Sequence, residues 1–433
     1  MHPSLRAIAS RAKRSKGYRF LNLYKMLDEA FLIDSWRYLN KNAASGVDSL
    51  SAAEYGKHLS ANVKDLVERL KRKGYRAGLV RRQHIPKGNG KTRPLGIPAI
   101  EDKLVQTAVS RILQAIYEAD FLDCSHGYRP GRGARGAVQA LTQRLQFGFY
   151  SYVVEADIKG FFDHIDHDWL LKMVEERVND RAFVGLIRKW LKAGILDTGG
   201  QVIHPESGTP QGGIVSPVLA NIYLHYVLDL WFERVIKPGC RGKAYLCRYA
   251  DDFVCLFQYK SEADHFFSQL PQRLWKFNLS LSAEKTQILS FTKWRMEENH
   301  RFDFLGFEFR WGKDRQGKPK VQRRTSRSKL RRSLSAFTEW CRDHRNLRMA
   351  DLFAILNAKL RGYYNYYGVI GNTRSLREFY KQARRILFKW LNRRSQRKSY
   401  NWRGFDELCR YYGIEHPRIT ERKSCQLIFG FSV

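Results

Sequence analysis

No stretch of about 18 apolar residues occurs anywhere in this chain, so the sequence supplies no segment able to cross a membrane as a helix. The opening MHPSLRAIASRAKRSKGYRF also lacks an apolar core followed by a cleavage site, and a soluble cytoplasmic protein is expected. The seven cysteines are odd in number and scattered, with no CxxC pair, which excludes a disulfide framework and a zinc ribbon and leaves packing as their role. Internal repeats and low-complexity tracts are missing as well. Acid is scarce beside base: 42 Asp and Glu stand against 77 Lys and Arg, a formal charge of +35. An excess of that size favours a polyanionic partner through phosphate neutralisation, nucleic acid ahead of anionic membrane.

What is present suffices for several folded units. The 433 residues exceed one compact core, and 43% hydrophobic with 13% aromatic residues provide material for more. Residues 1–78 are basic and helix-prone and read as an accessory N-terminal extension. From 79 to 309 the texture changes to short β-rich stretches, glycine turns and amphipathic helices, which suits an α+β unit with an antiparallel sheet. Leu104, Ala108, Ile112 and Ile116 recur every four residues behind Pro98 and predict a helix over 100–119. Between Arg310 and Lys398 there are twenty-six Lys or Arg and five acids, more than half of the net excess. The spacings Leu330, Leu334, Phe337, Cys341 and Leu376, Tyr380, Ala383, Leu387, Leu391 predict two helices of an all-helical domain over 310–400, followed by a short basic tail, 401–433.

Within the middle unit, RYADDFVCLF (Arg248–Phe257) reads as two apolar strands meeting at a turn occupied by Asp251 and Asp252. An Asp-Asp turn alone is commonplace. A second segment, YVVEADIKGFFDHID (Tyr152–Asp166), is a strand with Val153, Glu155 and Asp157 on one face, and it brings a third carboxylate to a strand end. Converging carboxylates repel one another unless a cation lies between them, and hard oxygen ligands suit Mg²⁺, the ion of phosphoryl transfer.

The order of blocks Ile85-Pro86-Lys87 with Arg93-Pro94-Leu95-Gly96-Ile97-Pro98, SHGYRPGRGA (Ser125–Ala134), EADIKGFF (Glu155–Phe162), GTPQGGIVSPVLANIYL (Gly208–Leu224), YADD (Tyr249–Asp252), LSAEKT (Leu281–Thr286) and FLGF (Phe304–Phe307) resembles group II intron-encoded reverse transcriptases. The resemblance covers almost the whole chain. It implies a right-hand polymerase of fingers, palm and thumb that extends a DNA or RNA primer on an RNA template with dNTPs and two Mg²⁺ ions. It further implies a protein that grips its intron RNA, assists splicing and enters target DNA as a ribonucleoprotein.

Carried onto matching positions, the resemblance makes Asp157 and Asp251 the principal metal ligands, with Asp252 beside them and the backbone carbonyl of Ile158 facing the first ion. Lys87 and Arg93, with Arg81 assisting, fall where cations meet the triphosphate. Phe162 resembles the steric gate against a ribose 2′-hydroxyl, and Gln211 the contact near the nascent base pair. Ser216 and Pro217 are expected as cap and first residue of a helix. Phe304, Leu305 and Gly306 resemble the primer grip. LNAKLRGYYNYYGVIGNTRSLREFYKQARRILFKWLNRRSQ (Leu356–Gln396) resembles the family's maturase domain, with tyrosines and arginines interleaved for stacking and phosphate contact. Arg361, Tyr363, Arg384, Arg385, Arg393, Arg394, Arg397 and Lys398 are the candidates there, and Tyr363, Tyr364, Tyr366 and Tyr367 are expected to divide between core and RNA.

His164 and His167 lie among Asp163, Asp166 and Asp168, but they follow the catalytic strand directly and no separate metal site is expected. Only Cys409, His416 and Cys425 lie near Val433, so no endonuclease is expected, as in the compact proteins of the IIC class. A reverse transcriptase detached from any intron, serving repair or antiviral defence, would keep every catalytic block. A non-enzymatic splicing cofactor would be equally basic, but has no use for Asp157, Asp251, Lys87, Arg93 and Gln211 together.

Overall fold

The computed structural model describes residues 2–88, 91–298, 300–395 and 399–421. The chain divides into two compact units, one formed by Met1–Leu141 with Tyr152–Ile288, the other by Thr142–Ser151 with Leu289–Val433.

In the first unit, eight strands make two sheets. The first runs β2 (Lys91–Ile97), β1 (Val80–Gly88), β4 (Ile195–Leu196), β5 (Val202–Ile203), with β1 antiparallel to β2 and parallel to β4. The second runs β6 (Ala244–Tyr249), β7 (Asp252–Phe257), β3 (Tyr152–Asp157), β8 (Gln287–Ser290), the last two residues of β8 being counted with the second unit. Along β3, Val154 and Ala156 are buried while Glu155 and Asp157 stay half-exposed. Val153, on the face of Glu155 and Asp157, is buried too.

The predicted helix appears as Ile100–Tyr117, its Leu104, Ala108, Ile112 and Ile116 fully buried. It is the hub of the unit, because the helices Pro3–Arg14 and Glu29–Trp36 pack against it. The N-terminal 78 residues are therefore no loose accessory: Leu5, Phe31, Leu32, Val63, Leu66 and Tyr75 belong to the same hydrophobic core as the palm strands. Local signals fix those helix starts, with Asp28 accepting from the amide of Phe31 and Ser51 forming a reciprocal capping box with Glu54. Ser216, by contrast, does not cap. It is the first residue of Ser216–Leu224 and its hydroxyl donates to the Pro210 carbonyl, 3.0 Å away, with Pro217 one position further in.

In the second unit, β9 (Arg301–Phe304), β10 (Phe307–Lys313) and β11 (Pro319–Thr325) form an antiparallel sheet in the order β11-β10-β9. Extended backbone thus persists to Thr325, and the helices expected from Arg310 start at Arg327. Gln146, from the short segment that belongs to this unit, accepts from the amide of Val321 at 2.8 Å and donates to the Pro319 carbonyl at 3.1 Å, so its side chain caps β11. Arg327–His344, Met349–Tyr367, Thr373–Leu391 and Trp402–Tyr411 then share one apolar core built from Phe337, Leu356, Leu360, Leu376, Leu387 and Phe405. Leu330, Leu334 and Tyr380 are only half-buried at its margin.

No helix among the described residues is long and apolar enough to cross a membrane. The cysteines at 124, 240, 247, 255, 341 and 409 are free thiols, the last four buried; Cys425 lies outside the described residues.

Candidate active site

β6 and β7 are joined by two residues, Ala250 and Asp251, because Tyr249 already pairs with Asp252. Asp252 is therefore the first residue of a strand, and only Asp251 occupies the turn where both had been expected. Ala250 sits at φ 56°, the left-handed region that a tight hairpin demands of its first central residue and that glycine usually fills. On its other side β7 pairs with β3, and the register sets Asp157 directly opposite Asp252. Side chains directly opposite in an antiparallel pair lie about 5 Å apart at Cβ, so the three carboxylates gather at one sheet end.

The electrostatics of that end follow from crowding. Burial, then the charges of Asp157, Asp251 and Glu155, push the Asp252 carboxyl up to about 7. Asp251 is raised by burial and by Asp157, with Arg93 and Lys285 pulling the other way. Lys285 sets its ammonium 2.5 Å from Oδ2 of Asp157, and that hydrogen bond raises the lysine further above its ordinary value. The block LSAEKT carried this residue, but nothing in its spacing assigned it a partner 128 positions away. Its local geometry arises from the chain 280–282, where Lys159 donates to the Ser280 carbonyl and Ser282 to that of Asp157. Among the described residues, no three His, Cys, Asp or Glu side chains close tightly enough to hold an ion by themselves.

Beside the carboxylates lies the loop 208–213. Gly208 and Thr209 donate to the carbonyls of Ile165 and Phe162, which seats the loop on the turn following β3. Gly212, at φ 115°, admits no side chain, since a Cβ would fall 2.4 Å from the Gly96 carbonyl oxygen. Gln211 is held from two sides: its Oε1 accepts from Arg93 Nε at 2.7 Å and its Nε2 donates to Asp163 at 3.2 Å. Asp163 thereby fixes the orientation of the amide, a role the sequence did not suggest. Phe162 is mostly buried, edge-on to Phe161, and also lines a cavity of about 310 Å³ with Arg82, His84, Pro94, Gly96 and Gln211.

Arg81 turns back to donate to the Ser45 carbonyl at 2.7 Å. Lys87 stands on β1 with its side chain outside the described residues. Ile158 is buried and bridges to Leu281. The rings of His164 and His167 bond different backbone carbonyls, those of Gly160 and Gly208.

The second unit contains the other candidates. Phe304 and Phe307 pair across a hairpin whose two central residues, Leu305 at φ 50° and Gly306 at φ 79°, are both left-handed. A leucine there is strained, and the Tyr366 hydroxyl donates to its carbonyl at 3.0 Å. Tyr363, expected at RNA, instead stacks on Phe379 with ring centroids 3.6 Å apart. Tyr364 is buried, Tyr367 half-buried and Tyr366 exposed. Arg385 and Arg393 are exposed. Arg384 pairs with Asp406, Arg394 donates to the Leu347 carbonyl, and Arg361 pairs with Glu415, so each of these three has a partner within its own unit. Arg397 and Lys398 lie outside the described residues.

Comparison with known proteins agrees with this arrangement. The family of reverse transcriptases (RNA-dependent DNA polymerases) matches residues 85–309, and the maturase-specific domain of group II introns matches 327–406. The chain is 32% identical over 448 residues to the group II intron-encoded protein LtrA of Lactococcus lactis subsp. cremoris, covering 83% of this chain and 72% of that one. It is 32% identical over 324 residues to protein YkfC of Escherichia coli K12, covering 68% and 83% respectively. An uncharacterized 91 kDa protein in the cob intron of Schizosaccharomyces pombe is 38% identical over 231 residues, 52% of this chain and 28% of that protein.

Proposed function

This chain belongs to the group II intron-encoded reverse transcriptases, and from that premise we propose that Asp157, Asp251 and Asp252 form its polymerising centre. The observation that carries the reading is the register of β3 on β7, which gathers carboxylates that repel one another in the absence of a cation. The donor set suits Mg²⁺, which takes few protein carboxylates and keeps waters and substrate phosphates as further ligands. Asp157 and Asp251, with the carbonyl of Ile158 and with Asp252 alongside, are the groups that would hold it. Two such ions, when bound, supply the activation of a 3′-hydroxyl and the offset of charge on pyrophosphate.

The chain's own residues do the rest. A primer 3′-oxygen forms a bond to the α-phosphorus of a dNTP as the bond from that phosphorus to the pyrophosphate oxygen breaks. Arg93, and with it Lys87, meets the triphosphate, while Arg81 is engaged with the Ser45 carbonyl instead; Gln211, oriented by Asp163, lies along the base pair; Phe162 excludes the 2′-hydroxyl by volume. Leu305 and Gly306 bear on the primer strand, while Phe304, buried in the sheet, supports their turn. Residues 79–309 thus supply fingers and palm, and the helices from Arg327 onward the thumb.

The second activity we assign is binding of the intron RNA through exposed cations of the maturase-specific region, in support of splicing and entry into target DNA. The match at 327–406 favours this over a polymerase detached from any intron.

The decisive experiment is primer extension on an RNA template with Asp157→Ala and Asp251→Ala. Extension is lost in both while template binding survives, because alignment of the reacting groups supplies most of the rate. Retention of more than about a few per cent of activity by either variant contradicts the assignment.

A further inference from the structure

The largest fully buried side chain in the core is a charged one, Arg248, which immediately precedes the Tyr249–Asp252 hairpin residues. It and Asp229 are both at 0% exposure. Every one of its five N–H groups has an acceptor: Nε and Nη2 fork onto the two oxygens of Asp229 at 2.7 and 2.5 Å, Nη1 reaches Asn221 Oδ1 at 3.1 Å and the Ala250 carbonyl at 3.0 Å, and Nη2 reaches Ser125 Oγ at 2.8 Å. A buried ion pair is weak evidence for stability, since apolar residues of similar volume often do as well, so its presence calls for another reason.

The acceptors supply one. The Ala250 carbonyl belongs to the residue held at φ 56°, whose conformation aims Asp251 and sets where β7 begins. The other acceptors come from two segments distant in the chain, Ser125 from one and Asn221 with Asp229 from the other. Asp229 ends a π-helical stretch, His225–Asp229, that follows the helix Ser216–Leu224, and a π turn shifts where the next side chains face. Asn221 also donates to the Gly127 carbonyl at 2.7 Å. Gly127 in turn lies so close to the turn that a Cβ on it would sit 2.5 Å from the Ala250 nitrogen. The backbone of Arg248 is bracketed as well, its N–H on the Cys124 carbonyl and its own carbonyl on the His126 amide.

We propose that Arg248 is a positioning residue of the polymerase reaction: locked by Asp229, Asn221 and Ser125, its guanidinium holds Ala250 left-handed and so fixes the directions of Asp251 and Asp252. The proposal rests on the assignment of those two aspartates to catalysis. It makes Ser125 and the π-helical stretch parts of the catalytic turn's support, with the Ser125 and Asp229 side chains themselves fully buried.

The test uses the full chain and a preformed RNA template with DNA primer. Arg248→Lys keeps the charge and loses the fork; Ser125→Ala removes one acceptor from a fold otherwise intact and serves where the lysine variant yields little folded protein. Each is made alone and with Ala250→Gly, because glycine adopts the left-handed conformation unaided. Turnover per folded molecule falls in both variants, on the order of tenfold for a displacement approaching an ångström. The Mg²⁺ concentration at half-maximal rate rises, while the dNTP KM and primer–template affinity hold. Ala250→Gly then recovers most of the loss in the variants and changes the parent chain by a different factor.

A turnover loss that merely tracks the folded fraction overturns the proposal, as does an Ala250→Gly effect identical in parent and variant backgrounds. Asp251→Ala, run alongside, separates the two readings: activity surviving that change removes the catalytic assignment itself, whatever Arg248 does.

Discussion

The ammonium of Lys285 lies 2.5 Å from Oδ2 of Asp157, so a side-chain cation stands on a carboxylate proposed to bind metal. The pair is largely solvated on the lysine side, where such contacts contribute about 1 kcal/mol or less. Lys285→Gln is accordingly expected to bind Mn²⁺, used as a probe, up to about fivefold more tightly in calorimetric titration. Weaker binding by that variant would show that the lysine supports the site rather than competing for it.

Asp252 gives the site a pH dependence whose sign is fixed. Its carboxyl is raised from 3.8 to about 7, so between those values the folded chain holds a proton that the unfolded chain releases. Stability therefore declines as pH rises through that window, and the contribution is gone above it. In chelator, the melting temperature of the parent chain is expected to fall relative to Asp252→Asn between about pH 5 and pH 8. Divalent cation should close the gap. Parallel melting profiles across that range would remove the carboxyl from this account.

Leu305 and Tyr366 form a second strained turn under restraint. Tyr366→Phe removes one hydrogen bond at an exposed position, about 1 kcal/mol at most, and is expected to shorten the products of single-encounter extension with little change in melting temperature. Leu305→Gly relieves strain of about 1 kcal/mol and discards the apolar side chain, so the fold holds while primer retention falls. Full-length products from both variants would return this hairpin to an ordinary connection.

The arginines of the last helices separate into two kinds. Alanine at Arg385 or Arg393, both exposed, is expected to flatten the salt dependence of RNA binding, the log–log slope falling by about 0.7–0.9 for each phosphate no longer neutralised. Alanine at Arg394 or Arg384 breaks the bonds to Leu347 or Asp406 and should lower the melting temperature instead. Equal slopes from all four changes, with unaltered melting, would contradict the division.

Features set by short-range interactions were legible in the sequence. Apolar periodicity located Ile100–Tyr117 and the helices at 327–344 and 373–391, and strand patterning brought Asp157 to a strand end and Asp251 to the turn between two strands. Features whose partners are far apart in the chain were not. Arg248 looked like one more cation, since Ser125 is 123 positions away and nothing marks the π-helical stretch that presents Asp229. Tyr363 was read for its ring and not for Phe379, which covers it. The N-terminal helices looked accessory because their charge stood out, while their buried faces show only in the packing of Pro3–Arg14 and Glu29–Trp36 on Ile100–Tyr117 and of Leu59–Lys71 on Glu29–Trp36.

Gln146 carries a practical consequence for dissecting the molecule. β11 is the border strand of its sheet, and two of its backbone groups, at Val321 and Pro319, are satisfied by that single glutamine from residues 142–151. A fragment cut to begin at Leu289 would be made without it, leaving those groups free to pair with another copy of the same strand. Such a truncation would tend to clump for a reason unrelated to RNA. A tethered peptide spanning 142–151 is the remedy its geometry suggests.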